Sequence, residues 1–506
     1  MENATQEKCD LEKLALETNN NNSTSLSISD LRLNCRTVSP QTRVHKLKLS
    51  KFCKISLRFI QSLFEILLGN SLFIVAIPLL LIVFSILLLI RAIVSLYLRK
   101  KYGTRYKLLK GRDAAWAYQR YAHDNCFYSF YKIQGICDMQ KVRSQITTRV
   151  INHLINGKST YSRLSRKITV KCGFYCWDCD HEFRIENHIV FLSSENEPLT
   201  ENQVLARLST VMDEPLDPNF PQWRVYIVPN LVCPNSSVFT TDTPKRYHYA
   251  LVWRMNHAVM DGVSAANALQ YCIADAPVNL SVDPLAPVKV PFYFNTCIGI
   301  QAMIFGARSF FKSMFWGDTN PFHGPQLTGP KYVGLSRPMN VEALKMLKNS
   351  TNTSVTAVMT SCVGKGLRTL GVAKGNMIPR SVSAGATYAL LPYPSMRPQN
   401  RFTVAHMELK IGLEDSIKRL KHTFKSSEEL CGSADLVKNF HMIGMTGLFP
   451  AVMVGKLMDR CHATVLLSNL PGPVEHYDIF EGDKLVGISG WNTIKGTTGI
   501  TFLKPF

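Results

Sequence analysis

Residues 255–273 read MNHAVMDGVSAANALQYCI, and this stretch decides how the surrounding chain is organised. The residues leading into it, YHYALVWRM (247–255), place large apolar side chains at every second position, which is the pattern of a strand. Within it, Asp261 is a preferred helix N-cap residue, Gly262 allows a tight backbone turn, and small residues follow. The stretch therefore predicts a strand that ends near residue 255, a turn that carries His257, and a short helix capped by Asp261.

His257 admits two interpretations. In the first it is a satisfied polar residue in a turn, and Asp261 is an N-cap that contributes about 1 kcal/mol. In the second, the pattern His-x-x-x-Asp-Gly places an imidazole at a strand end, facing a cleft, where it removes a proton from a substrate hydroxyl. An imidazole with a pKa of about 6.5 is mostly neutral at cellular pH, so it can accept that proton and return it to a leaving group.

Six further blocks occur with this motif in a specific order and spacing. They are FRIENHI (183–189), PLDPNFPQWRVYIV (215–228), NPFHGPQLTGPKYV (320–333), TNTSVTAVMTSCVGKGLR (351–368), QNRF (399–402) and SNLPGP (468–473). With these blocks, residues 137–500 resemble the wax ester synthase/diacylglycerol acyltransferase family of acyl-CoA:alcohol O-acyltransferases, whose motif is His-His-x-x-x-Asp-Gly. The resemblance implies an α/β fold with two chloramphenicol-acetyltransferase-like domains, mixed sheets, and an active site in a tunnel at their interface.

The resemblance also assigns roles to the motif residues. His257 matches the second motif histidine, which is generally assigned as the base, and Asp261 completes the predicted catalytic pair by holding the shape of the loop. Asn256 replaces the first histidine of the family, and an amide can position a substrate but cannot act as a base near neutral pH. Asn256 and Gly262 are therefore predicted to contact the substrate.

The block SNLPGP is the second candidate site. In the family this loop lies near the active site, which implies that Ser468, Asn469 and Gly472 contact the acyl-CoA or stabilise the tetrahedral oxyanion. The alternative is a purely structural turn, because a Pro-Gly-Pro sequence makes a rigid turn by itself.

The charge of the chain points to a membrane. Lys and Arg total 58 against 37 Asp and Glu, a formal net charge of +21. Fourteen of the basic residues lie in residues 43–58 and 91–112, on either side of ILLGNSLFIVAIPLLLIVFSILLLI (66–90), which has no charged residue. A bilayer core needs about 20 apolar residues, so this segment predicts a membrane anchor with basic flanks. Binding to nucleic acid is not expected.

Two features of the apolar regions leave alternatives open. Pro78 lies in the middle of the first region, where a tilted, kinked helix and a hairpin that returns to the same side are both compatible with the sequence. The second uncharged stretch, residues 290–307, is interpreted as an interfacial or core helix rather than a second span.

The cysteines do not predict a disulfide framework. Fourteen cysteines without regular spacing in a chain of this length are typical of reduced thiols. Cys172, Cys176 and Cys179, with His181 beside them, have a spacing able to ligate zinc or an iron–sulfur cluster. No fourth ligand follows from the rest of the chain, so no metal is predicted.

The predicted organisation has five parts. They are a disordered polar and basic region (1–58), a membrane anchor with a basic flank (59–112), an N-terminal acyltransferase domain that contains the histidine motif (113–275), a linker (276–330) and a C-terminal acyltransferase domain that contains SNLPGP (331–506).

The expected function follows from the resemblance and the anchor together. A membrane-bound O-acyltransferase would move a fatty acyl group from acyl-CoA, its co-substrate, to a long-chain alcohol or diacylglycerol, forming wax esters or triacylglycerol without a further cofactor. Coenzyme A thioesters are cytosolic, so the catalytic domains are expected to face the cytosol on the endoplasmic reticulum, with the plasma membrane as the alternative location. A rival hypothesis, motivated by Asn256 and by a C-terminus that ends early for the family, is a lipid-binding or scaffold protein that has lost turnover.

Overall fold

The structure, a computed structural model, describes twelve stretches of the chain. They are residues 43–118, 125–233, 247–276, 285–286, 292–315, 318–323, 330–336, 339–458, 463–470, 472, 476–493 and 498–505. The predicted disorder of residues 1–42, parts of the predicted linker (277–284, 287–291, 316–317 and 324–329), and Pro471 and Pro473 of SNLPGP lie outside these described residues. Phe64–Phe506 forms one compact unit, and the described residues up to Leu63 contribute only helix.

The described residues contain 17 strands and 11 α-helices. The strands are β1 (Tyr106–Leu108), β2 (Cys126–Gln134), β3 (Leu154–Ile155), β4 (Lys158–Ser159), β5 (Lys167–Lys171), β6 (Phe174–Asp178), β7 (Ile189–Phe191), β8 (Pro198–Thr200), β9 (Trp223–Val228), β10 (Asn230–Val232), β11 (His248–Asn256), β12 (Val382–Ala389), β13 (Phe402–Leu409), β14 (Val465–Leu470), β15 (Tyr477–Ile479), β16 (Asp483–Asn492) and β17 (Ile500–Pro505). The helices are α1 (Arg43–Tyr102), α2 (Gly111–Ala117), α3 (Met139–Ile146), α4 (Glu201–Asp213), α5 (Gly262–Ala268), α6 (Phe292–Phe315), α7 (Val341–Thr351), α8 (Val355–Ala373), α9 (Ser416–Cys431), α10 (Asp435–Thr446) and α11 (Ala451–Met458).

Helix α1 continues without interruption through Pro78. Its part Phe59–Tyr102, 44 residues, is long and apolar enough to cross a membrane. Of the two alternatives left open by the sequence, the structure has the single helix and not the hairpin. The helix also begins at Arg43, inside the region predicted to be disordered, because Lys, Arg and Leu are good helix formers that extend a helix already nucleated by the apolar segment.

The larger sheet has six strands in the order β15–β16–β2–β11–β9–β7. β2 pairs antiparallel with both β11 and β16, whereas β7 runs parallel to β9. β15 and β16 lie in the second half of the chain, yet they complete the sheet whose other four strands come from the first half.

The smaller sheet has four strands in the order β13–β12–β14–β17. β12 is antiparallel to β13 and parallel to β14, and β14 is parallel to β17. Both large sheets are therefore mixed, which confirms the predicted α/β class.

Strand β11 shows how the larger sheet is covered. Its alternate residues Tyr249, Leu251, Trp253 and Met255 belong to one buried cluster, as the alternation in the sequence predicts. The residues between them are also buried, because α4 places Val204, Leu205, Leu208 and Met212 over the opposite face. The sheet is thus apolar on both sides, and the turn after β11 begins from a rigid base.

Candidate active site

His257 follows directly after β11, where that strand leaves the larger sheet. Its backbone N–H donates to the carbonyl of Asn125, 2.7 Å away, which ties the turn to the start of β2. The half-buried imidazole lies among the rings of Trp116, Phe127 and Phe402, whose centroids are 5.4, 5.0 and 5.3 Å from its own. Three aromatic neighbours leave the ring little freedom to rotate, so packing fixes its direction.

Asp261 is fully buried and uses both carboxylate oxygens. Oδ1 accepts the N–H of Ser264 at 2.8 Å, which is the predicted N-cap of α5. Oδ2 accepts the hydroxyl of Tyr393 at 2.7 Å and the backbone N–H of Arg401 at 2.8 Å. Burial raises the pKa of this carboxyl, and the hydrogen bonds oppose that rise. The carboxylate is thus engaged in bracing the loop.

The segment QNRF, from the second half of the chain, closes over the motif. The carbonyl of Gln399 accepts hydrogen bonds from the N–H of Asp261 at 3.2 Å and from the hydroxyl of Ser264 at 3.1 Å. Together with the bond from Arg401 to Asp261, these contacts hold both ends of the turn at the cap of α5.

Asn400 anchors the same turn from its other side. Its buried amide Nδ2 donates to the carbonyl of His257 at 2.7 Å and to Asp113 Oδ1 at 3.0 Å. Asp113 in turn pairs with Arg163 at 2.7 Å, and Arg163 donates to the carbonyl of Val259 at 3.1 Å. One continuous polar network therefore fixes the backbone of the motif from residue 257 to residue 259.

Asn256 is fully buried at the end of β11. Its Oδ1 accepts the N–H of Ala258 at 2.8 Å, and its own N–H donates to the carbonyl of Gln222 at 3.0 Å. Among the described residues its Nδ2 has no hydrogen-bond partner, and Asn256 does not line the cavity into which His257 faces. Its contacts shape the turn, and its side chain lies outside the cavity in which a ligand would bind.

The other half of the site is at the end of β14. Ser468 and Asn469 lie in this strand and not in a turn, and Gly472 follows shortly after it. Ser468 Oγ accepts from the hydroxyl of Thr387 at 3.1 Å, while Asn469 Nδ2 donates to the hydroxyl of Thr356 at 3.0 Å. The Asn469 amide donor is thus directed at the protein, whereas the Ser468 hydroxyl keeps its own proton to donate.

Gly262, at the start of α5, packs against the end of β14. A Cβ built on it would lie 2.7 Å from Leu470 Cδ1, so the close approach of α5 to the end of β14 depends on the missing side chain. Gly262 thus brings the histidine motif and the Ser468 strand together.

A cavity of about 400 Å³ joins the two halves of the site. Its wall is mostly apolar and is formed by β2 and β16 of the larger sheet, by β12, β13 and β14 of the smaller sheet, and by α10 and α11. Six of the seven residues predicted from the sequence line it: His257, Asp261, Gly262, Ser468, Asn469 and Gly472.

Several residues of the site carry no recognisable signal in the sequence. Trp116 and Tyr393 line the cavity, and Asp113 and Arg163 support the turn. None of these four residues belongs to a sequence motif that would identify it. QNRF is different, because it is one of the blocks that carry the family resemblance. Its hydrogen bonds to the histidine motif show that this block holds the motif in place.

Two other blocks explain the core behind the site. His188 of FRIENHI is buried against Trp223 of the next block, with ring centroids 4.4 Å apart, and donates from Nδ1 to its carbonyl at 2.8 Å. Burial lowers the pKa of His188 to about 4, so this imidazole is neutral in the folded protein. These blocks are structural.

The cysteine cluster lies in a small hairpin away from the cavity. Cys172 occupies the turn between β5 and β6 with a positive φ of 48°, Cys176 is buried in β6, and Cys179 follows that strand. Within the part of the chain that the structure describes, no three His, Cys, Asp or Glu side chains are grouped so that they could hold a metal ion.

Comparisons with known proteins agree with this architecture. The model of the wax ester synthase/diacylglycerol acyltransferase catalytic domain matches residues 133–284, and the model of the WS/DGAT C-terminal domain matches residues 399–503. A comparison with the curated proteins finds no significant match.

The chain is also similar to solved structures, one of them with a TM-score above 0.5. The wax ester synthase/diacylglycerol acyltransferase from Marinobacter aquaeolei VT8 is 15% identical, with a TM-score of 0.51 over 79% of this chain and 90% of that one. TRI3 trichothecene 15-O-acetyltransferase from Fusarium sporotrichioides is 10% identical, with a TM-score of 0.49 over 79% and 89%. The first condensation domain of the CDA synthetase is 12% identical, with a TM-score of 0.46 over 79% and 88%. The Marinobacter enzyme confirms the predicted chloramphenicol-acetyltransferase-like fold.

Proposed function

Because this chain belongs to the wax ester synthase/diacylglycerol acyltransferase family, we propose that it transfers a fatty acyl group from acyl-CoA to the hydroxyl of a long-chain alcohol or diacylglycerol. The observation that carries the proposal is the position of His257. Its imidazole, held by three aromatic rings and by a braced turn, lines a mostly apolar cavity large enough for a small-molecule ligand.

The proposed reaction needs one base. His257 accepts the proton of the acceptor hydroxyl while the hydroxyl oxygen attacks the thioester carbon. The tetrahedral intermediate then loses the C–S bond, and the imidazolium returns its proton to the departing thiolate, which leaves as free coenzyme A. The products are an ester and a thiol, and the imidazole regains its starting state.

The oxyanion of the intermediate needs a donor, and Ser468 is the better of the two polar candidates on β14. Its hydroxyl accepts from Thr387, so its own proton is available toward the cavity, whereas one of the two amide N–H groups of Asn469 is committed to Thr356. A donor of this kind typically lowers the barrier by about 3 kcal/mol.

The acceptor is expected to be apolar, because the wall of the cavity is mostly apolar and favours contact with hydrocarbon. Met442, Ile443, Leu457 and Met458 line it from α10 and α11 and would contact hydrocarbon rather than a sugar or a peptide. We propose that α1 anchors the protein in a membrane, most simply that of the endoplasmic reticulum, with the catalytic unit on the cytosolic side where acyl-CoA is found.

The proposal is tested by incubating membranes that contain the protein with labelled acyl-CoA and a panel of acceptors: a fatty alcohol, diacylglycerol and a sterol. His257→Ala should lower ester synthesis at least a hundredfold. His422→Ala, an exposed histidine of α9 away from the cavity, is the matched control and should behave as the parent. Binding of acyl-CoA without turnover in the parent protein would favour the lipid-binding alternative.

A further inference from the structure

Helix α6 leaves an apolar surface exposed over residues 296–305. From Thr296 to Phe305 nearly every residue is exposed, on all sides of the helix, and the large side chains among them are apolar. The exposed fractions of Ile300, Met303, Ile304 and Phe305 are 47, 73, 43 and 45%. A helix that is apolar all round is normally either buried in a core or surrounded by lipid, and this part of α6 is not buried.

The polar groups near this surface are satisfied within the protein. Glu65, the only acidic residue of α1, pairs with Arg308 of α6, with N···O distances of 2.9 Å. The amide of Asn70 donates to the carbonyl of Ile304 at 3.0 Å. Charged and polar side chains at hydrocarbon depth are paired in this way, because unpaired ones are costly there.

The two helices also cross closely. A Cβ on Gly69 of α1 would lie 3.2 Å from the backbone N of Arg308, so the α6 backbone rests directly on the glycine. Glu65 and Gly69 are four residues apart and therefore lie on the same face of α1. Small residues at the crossing together with polar contacts across it are typical of helices that pair inside a membrane.

At the C-terminal end of the exposed surface, α6 makes polar contacts with α10. Ser309 donates to Asp435 of α10 at 2.5 Å, and Lys438 pairs with Asp435 at 2.9 Å. Charged contacts thus begin where α6 reaches the catalytic unit, next to the helix that lines the cavity.

We propose that α6 is embedded in the same bilayer as α1, with residues 296–305 in contact with lipid and Arg308 held by Glu65. This inference rests on the proposed membrane anchoring by α1 and goes beyond it, because it gives the protein a second lipid-embedded helix. Of the two interpretations of residues 290–307, an interfacial helix or a core helix, the exposure of residues 296–305 excludes the core helix. The bilayer would then lie beside α10, at the wall of the cavity that takes the apolar acceptor.

The native cysteines provide the test. Cys297 is exposed on α6, and Cys362 and Cys431 are exposed on α8 and α9. In the full chain reconstituted into phosphatidylcholine vesicles, N-ethylmaleimide crosses the bilayer but reacts with thiolates in water. Mapping by mass spectrometry should show Cys297 labelled at least tenfold more slowly than the other two. Equal rates would overturn the proposal.

A second measurement identifies what covers α6. A phosphatidylcholine carrying a photoactivated diazirine in its acyl chain should label peptides from residues 296–305 as well as peptides from α1. Protection of Cys297 without lipid labelling of α6 would mean that a second copy covers the helix, which overturns the proposal. Labelling of α1 without α6 would refute this inference and leave the anchor intact, whereas labelling of neither would refute both.

Matched substitutions complete the test. Met303→Glu places a charge on the exposed part of α6 and should raise the labelling rate of Cys297 at least tenfold. Met346→Glu alters an equally exposed methionine of α7, 68% exposed against 73% for Met303, and should leave that rate unchanged. Equal effects of the two substitutions would contradict the proposal.

Discussion

Replacing Asn400 with alanine removes two hydrogen bonds from one of the most buried polar positions of the site, where its exposed fraction is 4%. The bond to the carbonyl of His257 is neutral, and such bonds contribute about 0.5–1.5 kcal/mol. The bond to the carboxylate of Asp113 is charge-assisted and contributes about 1.5–3 kcal/mol. We therefore expect Asn400→Ala to lower the free energy of unfolding by about 2–4.5 kcal/mol.

The same change should slow catalysis. Without Asn400 the carbonyl of His257 loses its hydrogen bond to the second half of the chain, and each 1.4 kcal/mol added to the barrier lowers the rate tenfold. We expect kcat to fall at least tenfold. Asn400→Asp keeps the shape, but an ionised side chain cannot donate and would face Asp113, so it should be more damaging than alanine.

Urea unfolding in detergent micelles, followed by tryptophan fluorescence, gives the stability, and ester synthesis from labelled acyl-CoA gives the rate. Asn349→Ala, an exposed position on α7, is the control and should change neither. A stability within about 0.5 kcal/mol of the parent together with an unchanged kcat would refute the argument that Asn400 braces the site.

Three further predictions concern the core and the motif. Gly111→Ala should strongly destabilise the protein, because its Cβ would lie 2.0 Å from the carbonyl oxygen of Gly444, whereas Gly366→Ala in α8 has open space and should stabilise by about 0.5–1 kcal/mol in the same urea unfolding assay. Because the pKa of His188 is about 4 in the folded protein and about 6.5 when unfolded, its contribution to stability is complete above pH 6.5 and is lost as the pH falls toward 4. The loss should reach about 3 kcal/mol and be absent from His188→Gln; a pH dependence identical in the two proteins would contradict it. Asn256→His should keep ester synthesis within about tenfold of the parent, since Asn256 does not line the cavity; restoration of activity in an inactive parent would instead identify a lapsed enzyme.

The parts of the site that depend on neighbouring residues could be predicted from the sequence. The strand before residue 256, the turn at His257 and the cap at Asp261 follow from alternation, backbone preference and capping, all of which act within a few residues. The candidates Ser468 and Asn469 also reach the cavity, although they belong to a strand.

The contacts between distant segments could not be predicted in this way. Asn400 donates to a carbonyl 143 residues away, and nothing in the pattern around either residue indicates the other. The same holds for Asp113 and Arg163, which pair only because the fold brings α2 to the turn. The position of Asn256 in the motif predicts contact with the substrate, but Asn256 is not among the residues that line the cavity.

Because β2 pairs with β16, the larger sheet cannot be completed until nearly the whole chain has been synthesised. Gln134 of β2 meets Lys484 of β16, so a central strand of the larger sheet waits for a partner made about 350 residues later. At a translation rate of roughly 5–20 residues per second, that delay is on the order of 20–70 s, during which the edge of β2 has unpaired backbone groups. The unpaired edge exposes nascent chains to aggregation during this time, and because β16 also forms part of the cavity wall, an incomplete chain carries His257 without a complete cavity.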